Sequence, residues 1–450
     1  MNRYLTIGLA FLVGIQAAGA AISDRARARC YHESTSKKTI TFVLDNALWN
    51  AGTVNSAEVR GSFTGWSKSS EFQMTYDNEE ACWTVTVPYA SVRIPGNSGQ
   101  PEFKFVVNGS NWLSGYGKSF IPEGYVFMTS DRNNIIVFAD DDLEQIKANS
   151  KIAETVKKAS EFDLSTRAGQ EEISNFRLVP GTTALFRCYH PFKWSREKYD
   201  SEPLRISLVK DLSVAEGIKS DICLSGDDTK SLTSYTVSGE KYQEAVADYY
   251  QEMLDAGNVL YVGKANGHTP SYNEVYYNST GQRLGQWMKE TADFINRSPA
   301  PFSIHCRLGT DRTGVFCGLL AALCGAKWED IAEDYQKSNR MGIQEFRDYH
   351  LLQYSFQNLL GVENVGAVSD LSEAVADYFV NAGYLTDEDI AGVRVKLGSS
   401  LVAGIDDIAT YDDIMSPATY YNLQGQRVEK PGKGVFICKK GTSAEKIIFK

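Results

Sequence analysis

The stretch HCRLGTDRTG, residues 305–314, gives the strongest indication of how this chain folds. A short apolar run at 302–304 precedes it, and a strongly apolar run at 315–324 follows it. This order predicts a strand, a tight loop and a buried helix.

A loop of this kind can bind an anion. Five residues separate Cys306 from Arg312, which is enough for backbone N–H groups to converge on one point, while the first turn of the helix favours negative charge there. The amides and Arg312 would lower the pKa of a thiolate at the floor of the loop, and Arg312 could bind two phosphate oxygens at once. The stretch therefore predicts a phosphate site that contains a nucleophile.

The pattern His-Cys-x5-Arg-Thr-Gly resembles the signature of the protein tyrosine and dual-specificity phosphatase superfamily. The resemblance implies that Cys306 attacks phosphorus and forms a phosphocysteine, which water then hydrolyses. Arg312 and the loop amides would bind the phosphoryl oxygens and stabilise the transition state. The loop positions expected to bind substrate are Arg307, Leu308, Gly309 and Thr310. A structural cysteine before a glycine turn is the alternative, but it leaves the spacing of Gly309 and Arg312 unexplained.

Two further residues have supporting roles by the same resemblance. Thr313 would hydrogen-bond the thiolate or help it leave, and His305 would position the loop from outside. A core histidine with satisfied partners fits His305 equally well.

A phosphatase also needs a general acid to protonate the leaving oxygen. Many superfamily members keep an aspartate on the loop after the preceding strand, but the corresponding residues 263–278 contain none. His268 and Glu274 are the conventional replacements there. We expect Asp311 to serve instead, because this loop is similar to the x-D-R-T loops of phosphatases, including myotubularin-like lipid phosphatases, that keep the acid in the loop. Nearby arginines should lower the pKa of Asp311, whereas thiolate and phosphate should raise it.

Arg307 bears on specificity. Some phosphoinositide phosphatases carry a lysine directly after the nucleophile, and Arg307 could likewise hold a second phosphate on a polyphosphorylated or sugar-like substrate. Thr310 lacks the second lysine of those enzymes, so the preference should be partial. The alternative is that Arg307 points outward and pairs with a surface carboxylate.

Length and charge limit the function classes. The 450 residues predict two or three domains, and a net charge of −10 argues against a nucleic-acid partner. Residues 1–20 are typical of a secretory signal, with Arg3, an apolar core at 5–15 and the cleavage site Ala18-Gly19-Ala20. We therefore expect a protein exported to the periplasm, cell surface or medium, with no transmembrane segment after cleavage. An uncleaved anchor is the alternative.

The eight cysteines show no disulfide framework. Cys30 and Cys82 are the one pair that could be bridged, a question that the sequence leaves open, while Cys317 and Cys324 should belong to the core. No Cys/His cluster has zinc spacing, and phosphocysteine chemistry needs no metal, so we expect neither metal nor cofactor.

Residues 30–140 contain short β runs between polar turns and predict a β-sandwich. The predicted strands are Thr39–Leu44, Ala57–Phe63, Cys82–Val87, Glu102–Val107 and Asn134–Phe138.

Four motifs in this region follow one another in order: VRGSFTGWS at 59–67, CWTV at 82–85, FKFVVNGSNW at 103–112 and NNIIV at 133–137. Their succession resembles the glycogen- and starch-binding modules of AMP-activated kinase β subunits and branching enzymes. By position, Trp66 and Trp112 would stack on glucose rings, while Lys104 and Asn133 would hydrogen-bond hydroxyls. The alternative is a spacer in which the two tryptophans make core or partner contacts; Trp83 is assigned to the core.

Residues 141–172 are charged and helix-prone, and we expect a helical linker that packs loosely between domains. The run Asp140-Asp141-Asp142 fits the N-terminal charge of a helix rather than a metal site.

Residues 173–362 predict an α/β domain with a parallel-type sheet. The motifs NFR at 175–177 and LFR at 185–187 resemble the opening of a bacterial subgroup of tyrosine phosphatases whose loop ends in G-x-DRTG. The predicted strands are Ile206–Leu212, Val259–Val262 and Phe302–His305, and the predicted helices are Lys241–Leu254, Arg283–Ile295, Val315–Leu323, Trp328–Lys337 and Glu345–Leu359. Arg340, Arg347 and His350 are polar enough to reach the site, but we expect each on a solvated face.

The remaining residues predict a helical extension at 363–414 and a β tail at 415–450. Thr386 is the expected N-cap of the second of two amphipathic helices, with Asp389 three residues on. The tail predicts three short strands and resembles the C-terminal β tails of envelope proteins exported by bacteria with a type IX secretion system. A small β appendage that closes the fold is the alternative.

Together these patterns predict a multidomain, exported, cysteine-dependent phosphomonoesterase of the protein tyrosine or dual-specificity type. Phosphoinositides, inositol phosphates and phosphorylated glucans are the alternative substrates to phosphoproteins. The alternative function is a carbohydrate-binding envelope protein with an inactive phosphatase fold. The expected partners are a phosphorylated substrate and, through the sandwich, an α-glucan.

Overall fold

The computed structural model describes residues 21–113, 127–128, 133–196, 198–402, 419–422, 427–428, 433–440 and 443–449. Within these ranges, every helix is too short or too polar to span a bilayer. The expected signal peptide at 1–20 lies outside the described residues.

The front part of the chain is a β-sandwich. Its strands are β1 (Tyr31–Ser34), β2 (Thr39–Leu44), β3 (Ala57–Gly61), β4 (Thr75–Asp77), β5 (Cys82–Pro88), β6 (Glu102–Val107), β7 (Asn111–Leu113), β8 (Phe127–Met128) and β9 (Asn133–Ile135), with two short helices, α1 (Asp24–Arg29) and α2 (Asn46–Trp49). One sheet has the order β1-β2-β5-β4, and the other has the order β3-β6-β9-β8 with β7 paired to β6.

Aromatic side chains fill the space between these sheets. Phe42 of β2 packs edge-on against Phe103 of β6, with ring centroids 4.9 Å apart, and Phe105 points into the same core two residues later. The predicted strands at Thr39–Leu44 and Glu102–Val107 are confirmed.

Three predictions in this region need correction. β3 ends at Gly61 rather than Phe63, because residues 62–64 turn into a short 3-10 helix, and the last strand covers Asn133–Ile135 rather than Asn134–Phe138. Trp83 is only half-buried and packs against the edge of the core.

Cys30 and Cys82 are both buried and unbridged. β2 lies between β1, which follows Cys30, and β5, which begins with Cys82. Two strand spacings of about 4.8 Å each exceed the Cα separation of about 7 Å that a disulfide can span. The fold therefore excludes the bridge that the sequence left open.

The α/β part contains a five-stranded sheet. Its strands, with a separate hairpin, are β10 (Arg177–Leu178), β11 (Leu185–Cys188), β12 (Ser220–Cys223), β13 (Ser234–Val237), β14 (Glu240–Gln243), β15 (Val259–Tyr261) and β16 (Phe302–His305). The order is β10-β11-β16-β12-β15, and every pair is parallel except β10 with β11. β16 is therefore the central strand.

Helices surround this sheet and continue beyond it. They are α3 (Leu143–Glu154), α4 (Arg167–Ser174), α5 (Glu202–Ala215), α6 (Asp248–Asp255), α7 (Tyr272–Tyr276), α8 (Gln282–Arg297), α9 (Asp311–Leu323), α10 (Trp328–Lys337), α11 (Tyr349–Leu360), α12 (Leu371–Asn381) and α13 (Asp387–Lys396). The predicted strand β16 and helix α10 are confirmed, as are the cores of β15, α8 and α9.

The predicted strand at Ile206–Leu212 is wrong, because these residues lie within α5. Ile206, Val209 and Leu212 are buried at intervals of three residues, which is a helical spacing. The strand that the sheet uses at this point is β12.

The predicted helix at Lys241–Leu254 is wrong in its first half, because β14 occupies 240–243 and α6 begins at Asp248. Ser238 and Gly239 both have positive φ (50° and 89°) and join β13 to β14 as a two-residue hairpin turn. The helix predicted from Glu345 begins only at Tyr349, where Asp348 caps it.

The linker packs more tightly than expected. Asp142 is the N-cap of α3, in agreement with the predicted role of the aspartate run. Ile146 and Ala153 of α3 are buried against Ile135 of the sandwich and Phe346 of the α/β part. Loose packing is therefore wrong, and α3 joins the two parts of the chain.

The helices α12 and α13 lie in the predicted extension at 363–414, of which residues 403–414 are outside the described residues. Thr386 caps α13 in a reciprocal arrangement with Asp389, as predicted, and Asn296 of α8 donates a hydrogen bond to the carbonyl oxygen of Asp389. The described residues of the tail form four strands where three were predicted: β17 (Thr419–Tyr421), β18 (Arg427–Val428), β19 (Gly434–Lys440) and β20 (Ser443–Phe449).

Candidate active site

Residues 306–310, which we call the Cys306 loop, connect β16 to the first residue of α9. β11 and β12 flank β16, so the loop leaves the centre of the sheet at the carboxyl ends of parallel strands. α9 is buried from Thr313 to Leu323. The predicted order of strand, loop and buried helix is confirmed, and both ends of the loop are fixed in the core.

Gly309 is required by the path of the loop. Its φ is +71°, and a Cβ there would lie 2.2 Å from the carbonyl oxygen of Cys188. Any other residue would therefore meet both backbone strain and a collision with β11.

Two side chains hold the Cys306 loop from the neighbouring elements. Asn175 Nδ2 donates to the carbonyl oxygens of Leu308 (3.2 Å) and Gly309 (3.0 Å), and Arg187 donates to Gly309 O (2.7 Å). Asn175 opens the NFR motif and Arg187 closes the LFR motif. Both motifs are visible in the sequence, but the role of these residues emerges only from the fold.

The support continues into a buried ion triad. Asp334 of α10 accepts hydrogen bonds from Arg187 (2.6 Å) and from Arg177 (2.5 Å). Burial would raise the pKa of Asp334, but the two guanidinium groups outweigh it and the pKa is lowered. The triad is thus charged, and removal of Asp334 would leave two buried guanidinium groups without their carboxylate.

Cys306 lies at the floor of the loop and is 3% exposed. Burial would raise the pKa of its thiol, but the charge of Arg312, with the polar groups of Thr313 beside the sulfur, outweighs burial, so the pKa is lowered. The thiols of Cys317 and Cys324 show the opposite behaviour, because burial raises the pKa of each to about 12. The thiol of Cys306 therefore ionises more readily than the buried thiols of Cys317 and Cys324.

Arg312 is held beside the thiol by backbone carbonyl groups. Its Nη1 donates to Leu224 O (2.8 Å), after β12, and lies 3.5 Å from Pro270 O, in the loop after β15.

His305 is fully buried and joins the sheet to the loop. Its ring contacts Asp221 Oδ2 through Nε2 (3.1 Å) and the carbonyl oxygen of Cys306 through Nδ1 (3.1 Å). Burial opposes a charge on the ring, but Asp221 outweighs it and raises the pKa of His305 well above its usual value. Both ring nitrogens therefore donate, and the expected positioning geometry is present.

Asp311 begins α9 and is bound by Arg347. Arg347 donates to both of its carboxylate oxygens (2.6 and 3.1 Å), and Tyr276 donates to Oδ1 (3.2 Å). Burial would raise the pKa of Asp311, but Arg347 above all holds it below its usual range. Asp311 is therefore ionised at neutral pH in this arrangement.

The expectation of a solvated face for Arg347 is wrong, because it is 6% exposed and paired within the site. Its position in the short segment before α11 brings it to the loop, which sequence distance could not show. Arg340 and His350 are exposed, as predicted.

The two conventional replacements for the general acid, His268 and Glu274, make other contacts. His268 is exposed, and its backbone carbonyl accepts a hydrogen bond from Trp287. Glu274 lies on α7 and binds Arg283 and Asn278 (2.8 Å each).

The remaining loop positions divide between surface and core. Arg307 is exposed, and its Nε donates to the hydroxyl of Ser195 (3.1 Å). Leu308 and Thr310 are buried. The hydroxyl of Thr310 donates to Asp311 (3.3 Å).

A polar cluster that the sequence did not indicate lies after β11 and β12. Asp227 accepts hydrogen bonds from Lys193 and Ser225 and contacts Nε2 of His190 (3.1 Å). Burial lowers the pKa of His190 to about 3, so its ring is neutral and packs 4.7 Å from that of His305. These residues are scattered between positions 190 and 227, and no spacing rule would have joined them.

The four residues with the expected sugar-binding roles converge. Trp66, Lys104, Trp112 and Asn133 line one pocket of about 420 Å³. The same pocket is lined by Asn97 and by two residues of the α/β part, Tyr272 and Arg347. The pocket thus lies between the sandwich and the elements that support Asp311.

Residues 182–397 match the profile of a family described as the tyrosine phosphatase family. The matched region contains the Cys306 loop and the four parallel strands of the sheet, β11, β16, β12 and β15. A search of curated proteins returns no match. The family match identifies the protein as a phosphatase.

Proposed function

We propose that the protein is an exported phosphomonoesterase that works through a phosphocysteine at Cys306. The observation that carries this proposal is the position of Cys306, buried beside Arg312 in a loop of the expected length between the central strand and α9, where the charge of Arg312 favours the thiolate. The thiolate attacks phosphorus, the S–P bond forms and the P–O bond to the leaving group breaks. Water then attacks the phosphocysteine, releases inorganic phosphate and restores the thiol.

The surrounding groups have distinct roles in this scheme. Arg312 and the loop amides bind the phosphoryl oxygens, and they stabilise the charge that spreads over these oxygens in the transition state. Thr313 stabilises the thiolate, first as nucleophile and then as leaving group. His305 is a positioning residue, since it acts through the Cys306 carbonyl and Asp221.

Asp311 is the expected acid by its place in the loop, but its ion pair with Arg347 keeps the carboxyl deprotonated. The leaving oxygen therefore takes its proton from water in the first step. Asp311 acts in the second step, as the base that accepts a proton from the water attacking the phosphocysteine.

Phosphoproteins are the substrates favoured by the family description. The second candidate is a phosphorylated carbohydrate, favoured by the convergence of Trp66, Lys104, Trp112 and Asn133 in one pocket. Export rests on the pattern at 1–20, and the outcome to measure is the N-terminal sequence of the protein recovered from outside the cytoplasm.

The test of the mechanism is Cys306→Ser. This variant should lose hydrolysis of para-nitrophenyl phosphate and still bind vanadate, because Arg312 and the amides remain. Cys324→Ala is the matched control, since this buried thiol lies at the far end of α9, and it should keep its activity. Hydrolysis by Cys306→Ser above about a tenth of the wild-type rate would exclude Cys306 as the nucleophile.

A further inference from the structure

Residues 94–101, which we call the docking loop, lead into β6 and contact the α/β part of the chain. Glu102, the first residue of β6, accepts hydrogen bonds from the amide (2.8 Å) and the hydroxyl (3.0 Å) of Ser98. The amide of Gly96 donates to the carbonyl oxygen of Gln100 (2.8 Å), which closes the loop on itself. The sandwich therefore fixes the shape of the docking loop through its own contacts.

Asn97, within the docking loop, binds two segments of the α/β part at once. Its side-chain oxygen accepts a hydrogen bond from the hydroxyl of Tyr272 in α7 (2.8 Å). Its backbone oxygen accepts a hydrogen bond from the amide of Asp348, directly before α11 (2.8 Å). Asn97 is only 5% exposed, so both bonds form where water competes little for them. One residue of the sandwich therefore joins α7 to the segment before α11.

Each of these two segments also carries a group that holds Asp311. Arg347 directly precedes Asp348 and donates to both carboxylate oxygens of Asp311 (2.6 and 3.1 Å). Tyr276 lies one turn after Tyr272 in α7 and donates to Oδ1 of Asp311 (3.2 Å). The rings of the two tyrosines pack edge to face, with centroids 5.0 Å apart. The docking loop is thus one residue or one ring away from both groups that hold the carboxylate.

Two further contacts fix the docking loop against the same segments. The hydroxyl of Tyr277, directly after α7, donates to the carbonyl oxygen of Pro95 (3.1 Å). Gly99 has a φ of +84°, and a Cβ there would lie 2.8 Å from Cγ of Asp348. A glycine at this position allows a close approach that a larger residue would prevent. The sandwich is therefore fitted to the elements around Asp311 rather than only tethered to them.

We propose that Asn97 is a positioning residue of the phosphatase, so that the sandwich forms part of the catalytic unit. This inference rests on the proposed cysteine mechanism and concerns its second step. Asn97 fixes Tyr272 and the segment that carries Arg347, and these in turn hold Asp311 toward the attacking water. A bond forms between phosphorus and the water oxygen, the S–P bond breaks, and its electrons return to the thiolate. Asp311 accepts the proton of the water and then passes it to solvent.

The first step should not depend on Asn97. Arg312 is oriented by the carbonyl oxygen of Leu224 (2.8 Å), and Cys306 directly follows β16. These supports belong to the α/β part itself. Loss of the Asn97 side chain should therefore leave the attack on substrate unchanged and slow the hydrolysis of the phosphocysteine.

The test measures the two steps separately with para-nitrophenyl phosphate. In a two-step scheme, kcat/KM reports the steps up to the release of para-nitrophenol and does not contain the hydrolysis of the phosphocysteine. The rate constant of that hydrolysis comes from the burst of para-nitrophenol after rapid mixing. In Asn97→Ala this rate constant should fall by about fivefold, while kcat/KM stays within about twofold of wild type.

Two further variants test the hydrogen bond itself. Asn97→Asp keeps an acceptor oxygen for the hydroxyl of Tyr272 and should retain a hydrolysis rate within about twofold of wild type. Tyr272→Phe removes the donor of the same bond and should reproduce the loss, with no additional loss in the double variant. Tyr272→Phe also carries the test should Asn97→Ala fail to fold.

Asn108→Ala is the matched control within the sandwich. The side chain of Asn108 accepts a hydrogen bond from the amide of Asn55 (2.8 Å) and donates to the carbonyl oxygen of Thr53 (2.9 Å). Both partners belong to the sandwich, so this variant should change neither step.

The outcomes separate the inference from the proposed function. Wild-type rates of both steps in Asn97→Ala and Tyr272→Phe would overturn the role of Asn97 and leave the cysteine mechanism intact. Equal losses in kcat/KM and in the hydrolysis rate would also overturn it, because they would indicate general damage to the site. A loss of the same size in Asn108→Ala would have the same meaning. No hydrolysis of para-nitrophenyl phosphate by the wild-type protein would instead remove the proposed function.

Discussion

Asn175→Asp should weaken catalysis without touching any group that contacts substrate. In the wild type, Asn175 Nδ2 lies 3.2 Å from Leu308 O and 3.0 Å from Gly309 O. Aspartate has nearly the same side-chain shape as asparagine. It also tolerates the left-handed backbone conformation of residue 175, where φ is 54°. It replaces the donor by an acceptor, so a carboxylate oxygen would face two carbonyl oxygens.

The expected loss of activity depends on which hydrogen bonds to the loop remain in Asn175→Asp. Gly309 O keeps its hydrogen bond from Arg187 (2.7 Å), so the main loss falls on Leu308 O. A buried carbonyl left without its donor costs about 1–3 kcal/mol. If the loop relaxes to recover this energy, its amides leave their positions around the phosphoryl group, and kcat/KM should fall by roughly 5- to 150-fold.

The assay is kcat/KM on para-nitrophenyl phosphate, together with the free energy of unfolding from denaturant titration. Asn50→Asp is the matched control, because Asn50 also has a left-handed backbone (φ 48°) but lies on the sandwich surface. Asn50→Asp should change neither quantity. Wild-type kcat/KM in Asn175→Asp would refute the claim that this amide positions the loop.

Three further changes probe the charges around the loop. Asp311→Asn should slow the hydrolysis of aryl phosphates with good and with poor leaving groups by the same factor. The reason is that Arg347 keeps the pKa of Asp311 low, so the carboxyl holds no proton at neutral pH. A larger loss with poor leaving groups would show that Asp311 is the general acid. The pKa of the Cys306 thiol is lowered, so the thiolate is lost only as the pH falls through that lowered pKa. The pH midpoint of inactivation by iodoacetate should therefore lie below that of a free cysteine, and Thr313→Ala should raise this midpoint. A wild-type midpoint equal to that of a free cysteine would contradict this expectation. Arg307→Ala should cost about tenfold in kcat/KM on an inositol polyphosphate and little on para-nitrophenyl phosphate, since Arg307 is exposed and bound to the Ser195 hydroxyl; equal effects on both substrates would remove its role in holding a second phosphate.

The strand, loop and helix around Cys306 were predictable because their signals are local. The spacing from Cys306 to Arg312 and the apolar runs on either side lie within a few turns of chain. The capping box at Thr386 was equally predictable, since three residues contain the whole interaction.

The supports of the loop were not predictable, because their partners are distant in sequence. Asn175 lies 133 residues before Leu308, and Arg347 lies 36 residues after Asp311. Only the fold brings such residues together. The error at Ile206–Leu212 has a different cause, since a short apolar run fits both a strand and one face of a helix until its partners are known.

The ion pairs around the Cys306 loop determine which of the nearby cations can bind a phosphate. His305, Arg347 and Arg187 all lie within one contact of the loop, and each is paired with a carboxylate, of Asp221, Asp311 and Asp334 respectively.

Arg312 differs from these three cations. Its hydrogen-bond partners in the described part of the chain are the carbonyl groups of Leu224 and Pro270, and no ion pair there involves it. Carbonyl groups orient a guanidinium without neutralising it, whereas a carboxylate would compete directly with an incoming phosphate. The paired cations thus fix the shape of the loop, while the charge of Arg312 stays available both to lower the pKa of the Cys306 thiol and to bind the phosphoryl group.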